Sequence, residues 1–271
     1  MLKPKTTAAS FQVLLCCLVF ASFPPAISAQ DNRAATPIQA EIEKQKQRLS
    51  SSDVEERRDA VMKLGEMRRP EASRVALSAL SDVAPIVRAL ATKAVLSLDA
   101  SESVPVLLPL LNDKDEFVRR EAAFALGLTH SRNATQPLTQ VLLNDKEDGI
   151  RSAAAVALGE IGDEGAVVAL SAVIAPELSA PGKKAKKVEK NSFVLRAAAK
   201  SLGQIGSRAG TQALISALSN EKYPDDVHRE AALSLGLLGD PAAVPALKTA
   251  AASSDPFLAR TAIESLRKLT P

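Results

Sequence analysis

In the segment Phe117-Val118-Arg119-Arg120-Glu121-Ala122-Ala123-Phe124-Ala125-Leu126, the apolar positions 118, 122, 125 and 126 fall on one stripe at helical spacing. Gly127 follows it, and in other parts of the chain a second glycine, Gly162, Gly206 or Gly239, marks the helix end and the tight turn beyond. A second apolar stretch comes next, as in Val104–Leu111, Val167–Ile174 and Ala213–Leu218, which predicts a second helix. Asn133 with Gln136, and Asp240 followed by Pro241, supply cap chemistry at the starts of these second helices.

This two-helix pattern recurs. Aligned on Leu-Gly or its degenerate forms, its markers fall at 65, 96, 127, 159, 203, 236 and 267, with steps of 31, 31, 32, 44, 33 and 31 residues. The longer fourth step carries a single insertion, 175–191. Neither helix of a unit can bury its apolar stripe alone, so successive units must stack. The sequence therefore predicts an all-α fold, a right-handed α-solenoid of about seven helix pairs over 53–271. Ala at 122, 123, 153, 154, 197, 198, 231 and 232 lets neighbouring helices approach closely. A capped helix starting near Thr36-Pro37 within 30–52 closes one end, and the mixed segment Arg260–Leu269 closes the other.

The elements Leu158-Gly159-Glu160-Ile161-Gly162-Asp163 and Leu235–Leu247, preceded by Asp/Glu-x-x-x-Arg segments, resemble HEAT-like repeats of the phycobilisome-lyase type. The resemblance spans residues 53–269 and implies the solenoid fold. Proteins of that type include bilin lyases, a metal-dependent hydroxylase and plain binding scaffolds, so it implies no single activity. Unit two departs from the pattern, with Leu96-Ser97-Leu98-Asp99 where Gly-x-Ile-Gly would stand.

The first 29 residues read as a signal peptide. Lys3 and Lys5 precede the apolar run Phe11–Phe23, Pro24-Pro25 break it, and Ala26-Ile27-Ser28-Ala29 offers a cleavage site after Ala29. The run is too short to span a bilayer as a helix, so no transmembrane span is expected after cleavage. Leu14-Leu15 before Cys16 argue against a lipoprotein anchor. Export to a bacterial periplasm or medium follows. Both cysteines, Cys16 and Cys17, leave with the signal, which excludes disulfides and thiol catalysis from the mature chain. Cleavage also leaves 32 basic against 31 acidic side chains, too even a balance for specific nucleic-acid binding. Aromatic residues are only 3% of the chain, which argues against a large aromatic-lined pocket.

One arginine recurs per unit. Arg57, Arg88, Arg119 and Arg151 stand eight residues before their markers; Arg196, Arg229 and Arg260 stand seven before theirs. Acids accompany them at Asp53, Asp82, Asp113, Asp115 and Asp145, so an internal ladder is expected ahead of a basic stripe. His130 and His228 are isolated, without the His-Glu pairs that the hydroxylase resemblance would need, so no metal site is expected. Gly203-Gln204-Ile205-Gly206 is a helix-end turn, not a phosphate loop, and no nucleophile is presented with a base. Neither a catalytic constellation nor a cofactor is expected.

Two surfaces remain for recognition. The second helices are expected to line a concave face whose polar positions include Arg74, Gln136, Gln140, Gln212 and Lys248, suited to an extended peptide or a helix. The insertion carries Lys183, Lys184, Lys186, Lys187 and Lys190, a solvated spacer or a contact for an acidic partner or polyanion. The leading reading is an exported, non-catalytic scaffold, monomeric by default, with an unspecified protein or peptide partner. The alternatives are an enzyme by family analogy, bilin lyase-like or hydroxylase-like, and envelope or polyanion attachment through the lysines.

Overall fold

The computed structural model describes residues 36–178 and 189–269, and all the described helices lie in one compact unit, Pro37–Pro271. The expected signal segment with Ala29, and Lys183, Lys184, Lys186 and Lys187, lie outside the described residues. Helix α1 (Pro37–Arg48) is followed by six helix pairs. Their first helices are α2 (Val54–Glu66), α4 (Pro85–Ala94), α6 (Glu116–Leu128), α8 (Asp148–Ile161), α10 (Ser192–Ile205) and α12 (Asp225–Leu238). Their second helices are α3 (Pro70–Ala76), α5 (Ala100–Leu107), α7 (Thr135–Asn144), α9 (Val167–Ile174), α11 (Thr211–Ser219) and α13 (Val244–Ala251). A last helix, α14 (Pro256–Leu269), has no second helix after it among the described residues. The expected seven pairs are thus six, flanked by α1 and α14, and no strand occurs among the described residues.

Each first helix packs on the first helix of the next unit, and each second helix packs on that same next first helix, so the core runs on through the stack. This is an α-solenoid. The eight alanines at 122, 123, 153, 154, 197, 198, 231 and 232 are buried at these contacts. Measured to backbone, the approach is closest where Gly127 of α6 meets α8: a Cβ at Gly127 would lie 2.8 Å from Ala157 Cα.

The turn between the helices of a unit depends on one position, three residues after the marker. Gly162, Gly206 and Gly239 occupy it at φ 70°, 74° and 63°, the left-handed region that ends a helix. Arg68 and His130 take the same conformation at φ 49° and 50° without glycine's freedom, at a cost of roughly 1 kcal/mol each. Unit two, whose turn sequence is irregular, solves the turn differently: α4 stops at Ala94, and Asp99 at φ −60° leads into α5. Asn133 does not cap α7 but sits within a 3₁₀ turn, Arg132–Ala134, whereas the Asp240 carboxylate does accept from the Ala242 amide.

Candidate functional site

The recurring arginines form a ladder along the starts of the first helices. The Arg57 guanidinium donates to both Asp82 oxygens at 2.7 and 2.9 Å, Arg88 to both Asp113 oxygens at 2.8 and 2.7 Å, and Arg119 to Asp145 at 2.9 and 3.4 Å. Each arginine joins its own unit to the acid that opens the next. Their remaining Nη1 groups donate to loop carbonyls such as Ser51, Asp82 and Asp113, and each acid accepts from the amide two residues on. Hydrogen bonds from Arg57 hold the Asp82 carboxyl below its ordinary range despite burial. At Asp113 burial pushes upward, but Arg88 and the Asp115 amide bring the net shift down. Asp53 and Asp115 are not rungs; they cap α2 and α6.

The ladder weakens after the insertion, and the cause is register. Arg196, Arg229 and Arg260 stand one residue later than the first four, where a helix has turned by about 100°. At that later position Arg120, Arg196 and Arg229 lie over the rings of Phe117, Phe193 and Phe257 at 5.0, 5.6 and 5.2 Å. Arg229 still reaches Asp255 at 2.7 Å, Arg196 meets Asp226 at 3.4 Å in the open, and Arg260 pairs with Glu264 of its own helix. In unit six His228 fills the vacated register, its Nε2 2.9 Å from the Asn220 carbonyl oxygen. His130 Nδ1 lies 2.7 Å from the Glu160 carbonyl oxygen of the next unit, so both histidines are engaged by backbone. No group of metal-ligating side chains occurs among the described residues.

Further cross-unit contacts went unseen in the sequence. Lys93 meets Glu121 at 2.8 Å, and Thr135 and Thr211 donate to Asp163 and Asp240, each at 2.8 Å. Their spacings, about 28 residues apart, repeat through the chain and could have been found by reading columns other than arginine.

The insertion is held at both ends. Tyr223, the single tyrosine, is buried and donates to the Ile174 carbonyl at 3.0 Å, and Ser216 donates to Glu177. At the far end Arg151 meets Glu189 at 2.8 Å, so Glu189 serves as the acid for the fourth rung. Lys190 is exposed beside it.

The five second-helix candidates do not converge. Arg74 is paired with Glu102 of the next unit at 3.0 Å, and Gln212 and Lys248 stand apart on later units. Gln136 and Gln140, by contrast, share a cleft of about 710 Å³. Its origin is local. The second helix of unit two passes into a 3₁₀ turn, Leu108–Asn112, as that of unit one does at Leu77–Ser81. Leu108, Leu111, Pro137 and Val141 floor the cleft, and the carboxamides of Asn112, Gln136, Gln140 and Asn144 surround it. Asp113, Arg119 and Asp145, already paired in the ladder, form one wall, with Lys146 beyond. Such a lining offers hydrogen bonds without a free base, nucleophile or ligand set.

The family of HEAT repeats matches this sequence over residues 42–127, 104–177 and 187–269. Among solved structures, the chain is similar to the E. coli protein YIBA, with 19% identity, 85% of this chain and 81% of that one covered, and a TM-score of 0.57. It is also similar to the CpcE–CpcF complex of phycocyanin lyase from Nostoc sp., with 23% identity, 92% of each chain covered and a TM-score of 0.49. Human deoxyhypusine hydroxylase shows 18% identity over 85% of this chain and 96% of its own, with a TM-score of 0.40. At these identities the likeness is one of fold. No curated protein matches the sequence.

Proposed function

The chain belongs to the HEAT repeats family, and on that premise we propose that it is an exported, non-catalytic scaffold that binds a protein partner through its second-helix face. The observation that carries this reading is the character of that face where Gln136 and Gln140 lie. A cleft floored by Leu108, Pro137 and Val141 and surrounded by carboxamides suits recognition, and its only acids are consumed by the ladder. Within the family, the Leu158–Asp163 element supports a phycobilisome-lyase type of repeat; lyase or hydroxylase activity does not follow from that likeness. Export rests on the apolar run Phe11–Phe23 and the small residues before Gln30.

Affinity capture tests the scaffold. Residues 30–271 serve as bait beside a version lacking 180–188 and carrying Lys190→Ala, which keeps the Glu189 rung, and a version carrying Gln136→Arg and Gln212→Arg, each washed at low and physiological salt. A stoichiometric partner that resists salt, tolerates loss of the insertion and is released by the paired glutamine changes is expected. A partner lost with the insertion or with salt would instead place recognition on Lys183, Lys184, Lys186, Lys187 and Lys190, and would overturn the reading.

A further inference from the structure

We propose that the cleft between the second helices of units two and three holds an extended peptide segment in which an aliphatic side chain is followed by an acidic one. The inference rests on the scaffold reading and narrows it to one place and one chemistry.

Four carboxamides in one cleft are its distinguishing feature. A carboxamide carries both a donor and an acceptor, the same pair that a peptide unit presents. Asn144 donates to the Gln140 carboxamide oxygen at 3.1 Å, which turns the two into a connected edge. The side chains of Asn112 and Gln136 make no hydrogen bond to the described chain and stand exposed at the rim. A helical ligand satisfies its own backbone groups and would leave these amides facing water; an extended segment has free N–H and C=O groups to match them.

The floor selects a side chain and the far end selects a charge. Leu108, Pro137 and Val141 are half-buried and non-aromatic, the surface for one branched aliphatic group and not for a stacked sugar or base. Asp113 and Asp145 line the wall as carboxylates, which disfavours a polyanion, but Arg88 and Arg119 neutralise them at 2.7 and 2.9 Å. Lys146 lies past that wall with 80% of its side chain exposed and only a 3.7 Å approach to Glu147. It is the cation available for a ligand carboxylate next to the floor.

The arrangement belongs to this junction alone among the pairs. At the registers of Gln136 and Gln140, unit one has Arg74 and Ser78, unit two Pro105 and Pro109, unit four Val168 and Ala172, and unit six Pro245 and Thr249. Unit five has Gln212, but its Ser216 is taken by Glu177.

Fluorescence anisotropy on the whole exported chain tests the assignment, with a labelled Ser-Gly-Leu-Ser-Asp-Gly-Ser peptide as probe. Two comparison peptides carry an N-methyl group on the leucine nitrogen, or lysine in place of the aspartate. The probe is expected to bind saturably, about tenfold more tightly than the N-methyl peptide, and about fivefold more tightly to the native chain than to Gln136→Ala or Gln140→Ala. Lys146→Glu should reverse the preference for aspartate over lysine. These three side chains are exposed, and unchanged circular dichroism of the variants confirms that the fold is intact. Equal binding of the N-methyl peptide, no effect at Gln136 and Gln140, or no saturable binding would each overturn the proposal. Capture of a partner that survives Gln136→Ala and Gln140→Ala would overturn the cleft while leaving the scaffold standing; peptide binding with no partner captured would do the reverse.

Discussion

Replacing Asp113 by alanine removes a rung of the ladder where it is most enclosed. The side chains of Arg88 and Asp113 are 8% and 10% exposed, and the carboxylate accepts from Arg88 Nε, Arg88 Nη2 and the Asp115 amide. Without it, two guanidinium donors lose their acceptor where water reaches poorly, and breaking a buried pair in this way costs about 3–5 kcal/mol. Arg88 Nη1 keeps the carbonyls of Asp82 and Val83, so the lower end of that range is expected. The contrast is Asp226→Ala. Arg196 and Asp226 make one 3.4 Å contact with side chains 45% and 35% exposed, and such surface pairs contribute about 0–1 kcal/mol. Urea unfolding followed by far-ultraviolet circular dichroism gives the two losses. Hydrogen exchange on α4 and α6, against α10 and α12, localises them, because a repeat array need not unfold as one unit. Equal losses at 113 and 226 would refute the reasoning that burial, and not the presence of a rung, sets its contribution.

Three more outcomes follow from the same contacts. Asp82 and Asp113 have folded pKa values depressed below the ordinary carboxylate value, so their contribution is complete above about pH 4 and disappears as pH falls through the folded values; acid titration of thermal stability should show the loss only at that end. Gly127→Ala should cost about 1–3 kcal/mol by overpacking against Ala157, whereas Gly149→Ala, with nothing within 4 Å, should be neutral or slightly stabilising; paired denaturation curves check both. Ser201 donates to the buried Ala155 carbonyl at 2.7 Å while the equivalent Ser234 hydroxyl is buried without a partner, so Ser201→Ala should lose about 1 kcal/mol and Ser234→Ala should lose nothing or gain, as melting temperatures would show.

The solenoid was legible because its information is periodic. A stripe at 118, 122, 125 and 126, repeated at steps near 31, fixes helix pairs before any contact is known. The arginine column was visible for the same reason, but its change of strength was not, since a one-residue offset looks trivial in a string and is a third of a turn on a helix. Glu189 was hidden because the insertion separates it from Arg151 by 38 residues instead of the 25 or 26 of the first rungs. The candidate cleft was half legible. Gln136 and Gln140 stood out as polar positions on a second helix, while their neighbours Asn112 and Leu108 arrive from the 3₁₀ turn that ends the second helix of unit two, which helical spacing alone does not show. Arg74 and Gln212 share the column of Gln136, and Lys248 stands three residues further along its helix, but all three lie on other units.

The two clamped ends of the insertion make the junction between units four and five an exchangeable port. Tyr223 grips the chain as it leaves α9, and Arg151 grips it as it returns at Glu189, so the stack on either side does not depend on what is spliced between them. Doubling the length of such a closed segment costs only about 0.6 kcal/mol in chain entropy. Foreign sequence, from an epitope to a small folded module, can therefore be grafted at this position and displayed at a defined point between α9 and α10.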